Sequence, residues 1–252
     1  MFRSFIKRGR GLAALSALVV IPTIASANGS SVSPTRLLLP RGSASSYVTI
    51  TNTSLVPQRY SASAYRWDQT GAIPVVLSPT RDVVFFPGSF TIGSLQSQRI
   101  RIGSTTASDT TEKTYRIVVS ELPPLQNVIA PATAGLAFTA SFSIPIYLAP
   151  QKAVASGQIS DVAVDRHSLR FTVRNTGNVH FVAKAMRVLA RGTAETVMST
   201  ESSAWFVLAN SQHDFVIPLP SGACAAIRTI SIVVDAGTVT FDRSVTPERD
   251  CS

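Results

Sequence analysis

The chain has 252 residues, of which 45% are hydrophobic and only 15% charged. So high an apolar fraction excludes an intrinsically disordered chain, and the length accommodates one large domain or two of ordinary size. The 23 Lys and Arg against 14 Asp and Glu give a formal charge of +9, which taken alone points to nucleic acid or a membrane surface.

The first predicted element removes part of that charge. Arg3, Lys7, Arg8 and Arg10 form a basic start, Gly11 to Ile24 is uncharged and largely apolar, and Ala25-Ser26-Ala27 is a small-x-small cleavage pattern before polar Asn28-Gly29-Ser30. This predicts a secretory signal peptide over residues 1–27, with an apolar part too short to span a bilayer. Its cleavage takes away four bases and no acids. No later stretch is long and apolar enough to cross a membrane, so no insertion is expected once the signal is cleaved. The remaining excess lies in residues 28–151, with nine bases to five acids against ten to nine in 152–252, and it no longer argues for nucleic acid.

Short strand-like runs follow in both halves. The first half reads Val32–Leu39, Tyr47–Asn52, Arg59–Asp68, Ile73–Leu77, Asp82–Phe86, Gln98–Ile102, Thr114–Leu122 and Leu136–Leu148. The second reads Gln158–Val164, Ser168–Asn175, His180–Leu189, Ala204–Leu208, Asp214–Leu219, Ile227–Val234 and Val239–Val245. Turn chemistry separates them, as at Pro87-Gly88, Leu122-Pro123-Pro124 and Asn175-Thr176-Gly177-Asn178. No run outside the signal peptide has a helical period. Many short strands with turns every ~8–12 residues predict an all-β chain of immunoglobulin-like β-sandwiches. One such sandwich needs roughly 100 residues. Two are therefore expected, 28–151 and 152–252, joined at the short proline-containing segment Ala149-Pro150-Gln151-Lys152-Ala153 in a bent arrangement with a cleft between them. Cys224 and Cys251 are the only cysteines, and in an exported chain they are expected to pair.

Little in the sequence suggests catalysis. There is no G-x-S-x-G elbow, phosphate-binding loop, dinucleotide fingerprint or H-E-x-x-H. His167, His180 and His213 stand apart, no cluster has metal-ligand spacing, and no cofactor is expected. A carboxylate pair converging from distant strands, as in a secreted β-sandwich polysaccharide hydrolase, stays open as an alternative.

The most informative stretch is the last strand of the first half. Leu136, Phe138, Ala140, Phe142, Ile144, Ile146 and Leu148 fall on one face at an unbroken period of two. At ~3.3 Å per residue the strand would be about 40 Å long, roughly twice the usual length. Pro145 has no N–H to give a ladder, which places it at an edge or at a break in pairing. A long apolar edge strand not blunted by charge is an aggregation hazard unless it serves a partner.

Val32-Ser33-Pro34-Thr35-Arg36, Val48–Thr53 (VTITNT), Tyr115–Pro124 (YRIVVSELPP) and Ile144–Pro150 (IPIYLAP) resemble, in this order, the PapD-like periplasmic chaperones of pilus assembly. Phe171–Phe181 (FTVRNTGNVHF) and the two cysteines look most like the archaic branch of the chaperone–usher pathway. The resemblance covers essentially the whole mature chain. It implies a periplasmic chaperone that binds, folds and caps pilin subunits by donor-strand complementation and delivers them to an outer-membrane usher. The donor residues would be Leu136, Phe138, Ala140 and Phe142, with Ile144 extending the row. Arg36 would anchor the subunit's terminal carboxylate. The lysine that family members add in the long strand is missing from Ser143-Ile144-Pro145, and Lys152 and Arg116 are the candidates for a second cation. A pilus structural subunit is a further alternative, against which two complete-looking domains argue. Self-association of the free protein to cover its strand is left open.

Overall fold

The computed structural model describes residues 29–39, 45–71, 73, 75–107, 110–123, 139–202 and 205–251. The expected signal peptide and the first part of the long apolar strand, Leu136 and Phe138 included, lie outside them.

The first sandwich is built from β1 (Ser30–Ser33), β2 (Leu37–Leu39), β3 (Ser45–Asn52), β4 (Gln58–Asp68), β5 (Val76–Pro79), β6 (Val83–Phe86), β7 (Ser89–Ile92), β8 (Ser97–Ser104), β9 (Lys113–Leu122) and β10 (Ser141–Leu148). One sheet has the order β1-β3-β8-β6; the other has β2-β10-β9-β4-β5, with β7 also paired to β4. Alternate residues of the two sheets meet in one core. Val48, Ile50, Ile100 and Ile102 from the first sheet pack with Tyr60, Tyr115, Ile117, Val119, Ile144, Ile146 and Leu148 from the second. Each such side chain contributes about 1.5–3 kcal/mol by leaving water.

The stretch expected as a single strand over Val32–Leu39 is two. It breaks at Pro34, which cannot donate to a ladder, and the chain crosses from β1, paired with β3, to β2, paired in parallel with β10. Arg36 therefore sits in a bend immediately before β2.

The second sandwich comprises β11 (Gly157–Asp165), β12 (Ser168–Asn175), β13 (Phe181–Val182), β14 (Ala185–Arg191), β15 (Thr196–Ser202), β16 (Phe206–Val207), β17 (Gln212–Pro218), α1 (Ala223–Ala226), β18 (Thr229–Asp235), β19 (Thr240–Val245) and β20 (Glu248–Asp250). Its sheets run β17-β12-β11-β20 and β15-β14-β18-β19, with the short β13–β16 pair beside them. Ile159, Leu169, Phe171, Val173, Met186, Val188, Ile230, Ile232 and Val234 are among the residues of its core. The expected strand His180–Leu189 is interrupted at Ala183-Lys184, where the chain leaves β16 and joins β15 and β18.

Both sandwiches use the same device at a strand end. The buried Asn52 donates to Val56 O at 2.7 Å and Gly93 O at 3.0 Å, while its Oδ1 accepts from Ser54 N–H at 2.9 Å. Asn175 likewise donates to Val179 O at 2.8 Å and Val207 O at 3.0 Å and accepts from Gly177 N–H at 2.9 Å. A short carboxamide thus supplies the partners that the turning backbone needs.

Cys224 and Cys251 are joined in a disulfide across 27 residues, tying α1 to the end of the chain. Closing a loop of that length restricts the unfolded chain by about 3.5 kcal/mol. Denaturant unfolding with and without reductant should show a loss of about that size in the transition of the second sandwich, with the first unchanged.

Candidate functional site

The site is organised around β10, whose two halves have different surroundings. Along its whole length it pairs with β9, from Ser141 opposite Ser120 to Leu148 opposite Lys113. On its other side only Ile146, Tyr147 and Leu148 have a partner, the three residues of β2. Among the described residues, Ser141 to Pro145 have no strand alongside.

Backbone alternation shows what that edge offers. Ala140 O accepts from Glu121 N–H at 2.8 Å, so the even-numbered residues turn their backbone groups towards β9. Ser141, Ser143 and Pro145 therefore turn theirs outward. Two N–H groups and two carbonyls, those of Ser141 and Ser143, are directed at the open edge; at Pro145 the donor is missing by chemistry, and its carbonyl faces Leu37 of β2 in the parallel register. A strand added here has room only as far as Pro145, because β2 fills the next positions.

Arg36 stands at that point, in the bend that leads into β2. It lines an open cleft of about 1030 Å³ between the two sandwiches, together with Leu38, Arg116, Ser143, Pro145 and, from the second sandwich, His180, Lys184 and Phe206. Arg116 lies opposite Pro145 in the register, so its side chain shares a face with that proline. Its guanidinium lies 3.9 Å over the Trp67 ring and donates through Nη1 to Ser143 Oγ at 3.1 Å. Burial lowers the Arg116 pKa from its ordinary value, and Arg116 Nε has no hydrogen-bond partner. A guanidinium stacked on an aromatic face loses little conformational freedom when it binds an anion. Lys152, the other expected candidate, is exposed and is not among the residues lining the cleft. Lys184 lines it and was not singled out in the sequence.

The apolar row is divided between two duties. Ile144 is 2% exposed and packs in its own sandwich with Ile146 and Leu148. It does not extend a donor row, which corrects the expectation: alternation alone does not say whether a face meets its own core or a partner's. Phe142 is half-buried against that core, and Ala140 is half-buried at the strand's start.

The cleft's geometry depends on contacts between the two sandwiches. Trp67, Tyr147 and Leu208 form a small buried core with Val75 and Phe206 against it. The His180 ring stacks on Tyr147 with centroids 3.7 Å apart and 8° between planes. Its Nδ1 lies 2.8 and 2.9 Å from the two Glu112 oxygens, and its N–H donates to Glu112 Oε1 at 3.1 Å. Gln69 acts as a backbone substitute: Nε2 donates to Phe206 O at 2.8 Å, and Oε1 accepts from Leu208 N–H at 2.9 Å. Asn178 donates to Thr110 O at 2.7 Å and Lys152 O at 2.8 Å. The Tyr147 hydroxyl is buried without a partner, and burial, then the Glu112 charge, raises its pKa.

Among the described residues, no group of His, Cys, Asp and Glu could hold a metal ion. The arrangement offers an open strand edge that ends in a cationic cleft, which suits an extended chain with a negative end.

Comparison with known proteins agrees with this architecture. The family of pili and flagellar-assembly chaperones, PapD N-terminal domain, matches residues 29–153. A solved chain from the CsuC–CsuE chaperone–tip adhesion subunit pre-assembly complex of archaic Csu pili of Acinetobacter baumannii is similar at 16% identity and a TM-score of 0.57, covering 89% of this chain and 99% of its own. The class 5 fimbriae chaperone CfaA is similar at 14% identity, TM-score 0.57, covering 87% and 100%. A chain of the Salmonella enterica SafA pilin–SafB chaperone complex shows 14% identity, TM-score 0.55, covering 87% and 97%. At these identities the likeness is one of fold. No curated relative matches in sequence.

Two substitutions test the contact between the sandwiches. Tyr147→Phe removes a buried hydroxyl that has no partner and should leave the melting temperature unchanged or raise it. Tyr147→Ala should cost about 3 kcal/mol or more in denaturant unfolding, because it opens a cavity under His180.

Proposed function

The chain belongs to the PapD-like pilus-assembly chaperones, and we propose that it works as one in the periplasm, holding a pilin subunit on the open edge of β10 until an outer-membrane usher receives it. The observation that carries this reading is the edge itself. Its outward N–H and C=O groups at Ser141 and Ser143 lead directly to Pro145 and a cleft lined by Arg36 and Arg116. The similar structures of chaperones held with a tip adhesion subunit and with a pilin support it.

In this reading the subunit lacks one strand of its own sandwich. Residues 28–151 act as the subunit-binding domain and 152–252 as the second wall of the cleft, after removal of residues 1–27 during export. The edge of β10 supplies main-chain hydrogen bonds to the subunit, and the side chains of Leu136, Phe138, Ala140 and Phe142 enter its exposed groove. Burying several apolar side chains at about 1.5–3 kcal/mol each provides most of the affinity. Register comes from charge: the subunit's last residue reaches Pro145, where pairing cannot continue, and its carboxylate meets Arg36 and Arg116. A guanidinium can take both oxygens of a carboxylate, which a lysine in the same place would not. The activity is binding without catalysis.

Two variants separate the two parts of this reading. Ser141→Pro removes an N–H that β10 directs away from β9, so the free protein should keep its melting temperature while co-purified subunit falls to background. Normal subunit yield with that variant rejects strand addition. Arg36→Ala should weaken capture about tenfold, the scale of one charged hydrogen-bonded contact. Equal subunit affinity for Arg36→Ala and the unchanged protein would remove Arg36 from the site.

A further inference from the structure

The cleft has a wall from the C-terminal sandwich, and one cation stands in it. Lys184 lies between β13 and β14, and its N–H donates to Asp235 O at 2.8 Å. That bond fixes where the side chain starts, next to Ala236 and Thr238 on the cleft lining. The side chain then runs across Gly237, where an added Cβ would meet Nζ at 2.6 Å and Cε at 2.9 Å. Gly237 has φ of +75°, a conformation glycine adopts without steric cost. The missing side chain there leaves the space that the Lys184 ammonium uses.

The nearby acids do not neutralise this cation. Asp235 Oδ1 accepts from Gly237 N–H at 2.7 Å and serves its own turn. Among the described residues, no carboxylate lies within ion-pair distance of Lys184, Arg36 or Arg116. Glu112, the acid among the residues lining the cleft, is held by His180. Three cations from both sandwiches thus line one cleft without a local counter-charge, an arrangement complementary to an anionic ligand group.

We infer that Lys184 binds the carboxylate at the end of the captured chain, so that the C-terminal sandwich contributes directly to recognition and the ligand's charge is held between the two domains. This rests on the subunit-capture reading above. It gives the contacts between the domains a role in binding. Gln69, Asn178 and the Glu112–His180 pair fix the position of Lys184 relative to Arg36, and a change in that geometry alters how well one carboxylate satisfies both.

The test uses the full chain and a cognate pilin subunit prepared in two forms, with its free terminal carboxylate and with that carboxylate converted to an amide. Lys184→Met should weaken binding of the free-acid form about fivefold, the scale of a partly exposed ion pair. Lys184→Arg should restore it, and neither variant should change binding of the amide form. A Lys184→Met loss equally large for the amide, or no loss for the free acid, overturns the inference. The capture reading fails on different results: a wild-type protein that binds neither form, or one that binds both forms equally, which removes the carboxylate anchor altogether. If the wild type distinguishes the two forms and Lys184→Met leaves that difference intact, this inference alone fails.

Discussion

The structure depends on one strand being held on one side and left open on the other. β10 is paired throughout with β9, yet its outer edge is shared only over Ile146–Leu148, where β2 lies against it. From Ile144 to Leu148 both faces are buried, one in the first sandwich and the other beneath the second. This buried half fixes the strand's position, so that the open half is presented in an extended conformation before any partner arrives. Ordering an unstructured segment costs on the order of 1–2 kcal/mol per residue, and a strand already held by β9 avoids most of that cost. Pro145 marks the junction, since its outward position has no donor and additional pairing must stop there.

The cationic cleft belongs to the same construction. Arg36 is placed by the turn into β2, Arg116 by its register opposite Pro145, and Lys184 by the gap over Gly237. None of the three meets a carboxylate among the described residues. Arg116, half-buried over Trp67, is the least screened of the three, whereas Arg36 and Lys184 are exposed, so their attraction for an anion entering the cleft weakens as salt rises. In the proposed capture the apolar row and the cations divide the work: buried area would give affinity, while charge at the end of the edge would set register. The contacts through Gln69, Asn178, Glu112 and His180 keep the two walls in position.

Much of this was legible from local pattern. Period-two alternation and turn residues predicted two β-sandwiches, and the missing N–H of Pro145 alone predicted an edge or a break in pairing there. The paired devices at Asn52 and Asn175 are visible as the related strings TNT and RNTG, a repeat of one solution in both halves. What local pattern does not carry is the identity of the surface a residue faces. Ile144 and Phe142 occupy equivalent positions in the alternation, and only the packing separates the fully buried residue from the half-buried one at the margin of the same core. The contacts between sandwiches join residues 68 and 137 positions apart, as in Glu112–His180 and Gln69–Phe206. The same holds for Lys184, since a single lysine in a β-rich segment has no signature apart from Gly237 and the cleft around it.

Hydrogen exchange at the backbone amides of Ser141 and Ser143 tests the central claim most directly. In the free protein these N–H groups face an open edge and should exchange rapidly, while those of Phe142 and Ile144, directed at β9, should be protected. On binding a pilin subunit, Ser141 and Ser143 should become protected to the level of their neighbours. Subunit binding that leaves their exchange rates unchanged would contradict strand addition at β10.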